Sequence, residues 1–298
     1  MSLLSNSSSE SNNDTSTDTS RISISALYTG HVWYRNGLSL PALYSRLGQA
    51  GYWALRPVNS FIRLLTGADI ETFLLERHKV IDHQTAQLIA QHPDLQIVEI
   101  ACGLSPRGAR LMSRYNNEGC SLSYIEADLP DMAARKQRML QNLGLLSSEH
   151  QVRSCNILEE SGEESIEQIL SGLDHDRPVL IITEGLVNYF DLPMIEAVWG
   201  RMAKALKAFP AGFYITEVYP DLKEHPFYPW MQRARKMVAA LTRGDYPLHY
   251  ANEEVMKKGF EGCGFQQVQV IDPSELYDTL GLRRLEIDSA VRVVVNQA

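Results

Sequence analysis

A chain of 298 residues with 44% hydrophobic content is long enough for one large α/β domain with additions, or for two modest domains. No apolar run approaches the roughly 20 residues that cross a bilayer, and the first residues lack the blocks of a secretory leader, so a cytoplasmic protein with no membrane partner is expected. A net charge of −8 disfavours nucleic acid, and neither the four cysteines nor the eight histidines show the spacing of a metal site or a disulfide framework.

Residues 1–20 are mostly Ser, Asn, Thr and Asp and are expected to form a disordered tail. A helical N-terminal lid is expected over residues 21–91. Its first part, Ile22 to Thr66, carries Tyr28, Trp33, Tyr34, Tyr44, Tyr52, Trp53 and Phe61 without strand alternation, and reads as several short helices. Its second part, Glu71 to Gln91, places Phe73, Leu74, His78, Ile81, Ala86 and Ile89 at helical intervals, as one amphipathic helix does.

A core over 92–298 follows, in which strands and helices alternate. Strands are expected at Ile97–Ile100, Ser123–Ala127, Val152–Cys155, Val179–Thr183 and Gly212–Glu217, with helices through Leu111 and Tyr115 and at Asp131–Leu143, Ser161–Leu173 and Pro193–Phe209. A long segment at about 219–252 precedes a helix at Glu253–Cys263 and two last strands, Gln266–Ile271 and Ala290–Val295. This alternation predicts an α/β fold, a mainly parallel sheet covered on both faces, with the final pair as an antiparallel edge.

Ligands of such sheets bind beyond the carboxyl ends of the first strands. The first loop, Ile97 to Gly108, has neither the Lys-Ser/Thr of a P-loop nor a GxGxxG fingerprint, so phosphate recognition is disfavoured. Gly103 either permits close approach of a ligand or simply shapes the turn. Asp128 ends the next strand where an acid meets ribose hydroxyls in nucleoside-binding folds; the competing reading is a helix cap before Pro130, and Glu126 is the weaker candidate. Glu184 follows the apolar run Val179–Thr183, and a carboxylate there must find a partner.

The segments RHKVID (Arg77–Asp82), EIACGLSPRG (Glu99–Gly108), YIEADLPDMAARKQRML (Tyr124–Leu140) and ITEGLVNYF (Ile182–Phe190) resemble the leucine carboxyl methyltransferase-like family, which includes bacterial O-methyltransferases of polyketide biosynthesis. The resemblance runs from about Ile22 to Val295. It implies a Rossmann-like class I methyltransferase sheet with a helical N-terminal lid, an insertion after the fifth strand and S-adenosylmethionine as cofactor. It implies that Arg77 pairs with the methionine carboxylate, that Gly103 lines the cofactor, and that Asp128 holds the ribose. Asn156 and Ile157 stand where the family often has Asp–Leu at the adenine. Glu184 would face the methionine ammonium, with Gly185 letting the backbone pass close; Glu99 and Leu129 belong to the same expected site.

Methyl transfer to an oxygen needs alignment and exclusion of water, which suits a lid. A carboxylate acceptor needs no base, whereas a hydroxyl does. Tyr28 and His31 in the lid and Tyr189 beyond Glu184 are the candidates to orient or deprotonate a small-molecule acceptor, although core packing is the favoured reading of such aromatics. Asn188 and, in the insertion, His225, Phe227, Tyr228, Trp230, Arg233, Arg235 and His249 are expected near that acceptor. A non-catalytic protein that keeps the fold for binding or assembly is the other reading.

Overall fold

The computed structural model describes residues 19–221, 228, 232–233, 236, 247–286 and 289–298. The expected tail therefore falls almost wholly outside the described residues, as do His225, Phe227, Trp230 and Arg235 of the expected insertion.

The N-terminal region differs from its sequence expectation. In place of several short helices it forms two long ones, α1 (Thr19–Arg35) and α2 (Arg46–Thr66), joined through a 3-10 turn at Pro41–Leu43. Ser45 caps α2 by accepting from the Gly48 amide, and Gly67, at φ 77°, ends it. The helix passes through Pro57 unbroken. The two helices cross closely, because a Cβ at Gly48 would run into the Leu27 carbonyl. Helix α3 (Ile70–Gln91) starts from a capping box of Asp69 and Thr72, and Arg63 of α2 pairs with that Asp69 at 2.8 Å.

Seven strands follow: β1 (Gln96–Ile100), β2 (Ser123–Asp128), β3 (His150–Ser154), β4 (Val179–Thr183), β5 (Gly212–Val218), β6 (Gln267–Ile271) and β7 (Arg292–Gln297). Their order is β3-β2-β1-β4-β5-β7-β6, with β1 to β5 parallel and β7 antiparallel to both its neighbours. The interleaved helices are α4 (Arg107–Asn117), α5 (Pro130–Asn142), α6 (Ile166–Ser171), α7 (Leu192–Leu206), α8 (Glu253–Gly262) and α9 (Tyr277–Leu280). Helix α6 is shorter than the expected 161–173. Gly162 takes φ 119°, and Ser165 caps the helix by accepting from Gln168, so the acidic stretch before it stays in the loop.

The apolar run of β4 serves two cores at once. Val179 and Ile181 pack into one cluster with Trp199, Met202 and Phe260, while Leu180 and Ile182 pack into another with Val80, Ile81 and Tyr124. A parallel sheet buried on both faces needs such runs. Strand order reverses between β1 and β4, so the crevice at their carboxyl ends is the place for a ligand.

Candidate active site

Asp128 ends β2 and is 6% exposed. Its Oδ2 accepts from the Gly103 amide at 2.7 Å and its Oδ1 from the Leu129 amide at 2.8 Å, so the acid fixes the first loop to the second. Burial raises its carboxyl above the ordinary value against these two hydrogen bonds. Gly103 has φ 48°, and a Cβ there would lie 3.0 Å from that of Ala26 in α1. Ala101 also has a positive φ, 55°, an uncommon conformation for a residue with a side chain. Leu27 of α1 and Met132 of α5 pack on Leu104, which seats the N-terminal helices directly over this loop. The end of β3 joins it: Cys155 donates its amide to the Asp128 carbonyl at 2.8 Å. Ile157 is buried, while the Asn156 side-chain oxygen accepts from the Leu158 amide.

Beside this acid lies a buried network of charges. Arg107, 0% exposed at the start of α4, donates to Asp82 and Glu184 at 2.6 Å each and also pairs with Glu99. Glu184 accepts from Arg77 Nε at 3.1 Å and meets His78 Nδ1 at 2.9 Å. Burial alone would raise the Glu184 carboxyl; His78, Arg107 and Arg77 outweigh it and hold the group well below the ordinary carboxylate range. Gly185 takes φ 75°, and a Cβ there would lie 2.9 Å from Arg77 Nη2. Glu99 is spent on Arg107 and on the Tyr124 hydroxyl at 2.8 Å.

A second acid closes this network. Glu217, at the end of β5, accepts from the Gly185 amide at 2.7 Å and from Arg77 Nη1 at 3.3 Å. Its Oε2 is buried and has no hydrogen-bond partner among the described residues. Burial pushes its carboxyl up to about 7, with Arg77 acting against the rise. The Tyr219 hydroxyl, 3.4 Å from Arg77 Nη1, is pushed to about 12 by the same burial.

The structure thus gathers Arg77, Glu99, Glu184 and Gly185 in one network and Gly103, Asp128 and Leu129 in an adjoining one, with Asn156 and Ile157 in the loop after β3. Tyr28 and His31 lie elsewhere, in the contact of α1 with α2. The Tyr28 hydroxyl accepts from Asn59 at 3.0 Å, and the His31 ring lies 5.8 and 5.1 Å from the rings of Tyr44 and Tyr52. Tyr189 is half-buried in the 3-10 turn Val187–Tyr189 after Glu184, and Asn188 donates to the Pro247 carbonyl at 2.6 Å. His249 is buried against the Val187 carbonyl at 3.3 Å. Sequence reasoning missed Arg107, Asp82 and Glu217 as members of the site. Glu217 carried the same signal as Glu184, an acid closing an apolar strand.

The fold agrees with this geometry. The chain superposes on a DUF574-family protein from Streptomyces avermitilis with a TM-score of 0.61 at 13% identity, covering 92% of this chain and 96% of that one. It superposes on a candidate methyltransferase from Thermobifida fusca with a TM-score of 0.56 at 14% identity, covering 95% and 96%. The sheet has the Rossmann-like α/β architecture that the resemblance implied. Residues 63–203 match the leucine carboxyl methyltransferase family model, which bears out that resemblance over this stretch. The tetracenomycin polyketide synthesis O-methyltransferase TcmP of Streptomyces glaucescens is 22% identical over 70% of this chain and 67% of its own. Against other solved structures the chain spans less, 60% of an O-methyltransferase candidate from Nostoc punctiforme and 58% of the citrinin polyketide synthase CMeT domain.

Proposed function

We propose that this chain transfers a methyl group from S-adenosylmethionine to an oxygen of a small organic molecule, in the setting of polyketide or related metabolite synthesis. The observation that carries the reading is a buried acid, Asp128, placed beside a mixed cluster of Arg77, Glu184 and Glu217 at the carboxyl ends of β2, β4 and β5. The residues fit the cofactor. Asp128 is available to ribose hydroxyls, Arg77 is a fixed cation for a carboxylate, and the unpartnered Glu217 oxygen is an acceptor for an ammonium group beside Glu184. When bound, the cofactor supplies an activated methyl group on its sulfonium. The chain contributes alignment and exclusion of water, to which α1, packed over Gly103 and Leu104, is suited.

A carboxylate is the better acceptor of the two. It needs no base, and the base candidate, His31, is 5% exposed and enclosed between α1 and α2. Titration with S-adenosylmethionine, S-adenosylhomocysteine and NAD tests the cofactor, the first two binding and NAD not. Asp128→Ala is expected to weaken S-adenosylhomocysteine about 10- to 100-fold, the worth of one or two charge-assisted hydrogen bonds. Incorporation of labelled methyl into carboxylic acids but not phenols then supports the acceptor. Cofactor binding with no turnover on any acceptor favours the non-catalytic reading.

A further inference from the structure

Helix α2 presents its apolar side outward. Tyr52 and Asn59 face α1 at 3% and 5% exposure, whereas Leu47, Trp53, Val58, Phe61 and Leu64 are 72%, 54%, 41%, 57% and 82% exposed. At about 100° per residue these five lie in one arc of about 140°, with Ala50, Ala54 and Pro57 between them and Arg46 within it at the first turn. Half of the large exposed hydrophobics among the described residues stand on this one helix. Contiguous patches of this kind mark interaction surfaces.

Charge identifies what the surface meets. The charged residues of α2 are Arg46, Arg56 and Arg63, and it contains no acid, although the whole chain carries −8. Arg56 and Arg63 run along one border of the apolar arc. That border opens on a cavity of about 410 Å³ between α1, α2 and α3, whose lining includes Arg35, Lys79 and Arg283. Of the acids in its wall, Asp69 caps α3 and pairs with Arg63, Glu71 accepts from the Tyr52 hydroxyl at 2.8 Å, and Glu76 accepts from Ser289 at 2.6 Å through one oxygen while its other is buried without a hydrogen-bond partner among the described residues. Among the described residues no carboxylate pairs with Arg35, Arg56 or Arg283.

We infer that α2 is an interfacial helix that docks the protein on a membrane containing anionic lipid, its apolar arc among the acyl chains and its arginine border, with the adjoining cavity, at the phosphate headgroups. An apolar face with Trp, Phe and Leu beside a border to which the helix itself contributes only cations is the pattern of helices that lie in the bilayer plane. At 21 residues α2 lies along the surface for about 30 Å. A second copy of this chain fits less well, because a two-fold contact through α2 brings two such arginine borders into one interface with no acid on either helix to offset them. The sequence expectation of no membrane partner rested on the absence of a spanning segment and on total charge; neither bears on a local cationic, apolar face.

The test is co-sedimentation of the full chain with phosphatidylcholine vesicles, with and without phosphatidylglycerol, read alongside tryptophan emission. Binding to the anionic vesicles that falls with added salt, and a blue shift that Trp53→Phe removes, are expected. Leu64→Glu, at a site where little packing is lost, is expected to weaken binding at least tenfold while S-adenosylhomocysteine affinity stays unchanged. No binding at low salt, or equal binding to both vesicles, overturns the inference. So does concentration-dependent self-association that Leu64→Glu abolishes, which assigns the face to a second copy. Cofactor affinity is measured separately, so failure of the proposed methyl transfer leaves this result readable, and the reverse holds too.

Discussion

Arg107 holds together side chains that would otherwise repel one another. Glu99, Asp82 and Glu184 all pair with its guanidinium, and it has no exposure to water. Arg107→Met leaves these acids buried or half-buried without their shared cation, and a loss of about 3–5 kcal/mol is expected, read as a lower urea midpoint. The network is also sensitive to acid. Glu184 has its carboxyl depressed from the ordinary 4.5, so its stabilisation is present above that value and is lost as pH falls through the depressed one. Glu76 has the opposite sign. Burial raises it from 4.5 to about 7, with Ser289 acting against the rise, so folding favours its neutral form and stability falls as pH climbs between those values. Glu76→Gln is expected to stabilise by roughly 2 kcal/mol at about pH 8 and by little at about pH 5, checked by denaturation at both.

Among the elements, the α1–α2 pair depends on how closely the helices approach. Gly48→Ala drives a methyl group into the Leu27 carbonyl. The expected cost is about 1–3 kcal/mol, with faster proteolysis in the first two helices than in the sheet. The length of these helices was hard to read from sequence for the reason that makes α2 unusual. Where a water-facing side is apolar the polar phase of the pattern vanishes, and Pro57 reads as a break. The strands were easier. β4's uninterrupted Val179–Thr183 run depends on neighbours in sequence, and the strand forms over those residues. Arg107 had no such local signal, since its acids lie 8, 25 and 77 positions away and only the folded sheet brings them together. Glu217 was legible and passed over, since its strand ends as β4 does.

At the scale of the whole molecule, most of the architecture follows from alternation, while chemistry is concentrated where strand order reverses and where α1 covers the loops. The antiparallel β7 has a further consequence. It sits between β5 and β6, so β6 reaches the rest of the sheet only through a strand that comes after it in the chain. A ribosome therefore releases β6 before its docking partner exists, while the edge of β5 waits uncovered. A nascent chain paused between the two exposes both edges to other chains until β7 arrives to cover them.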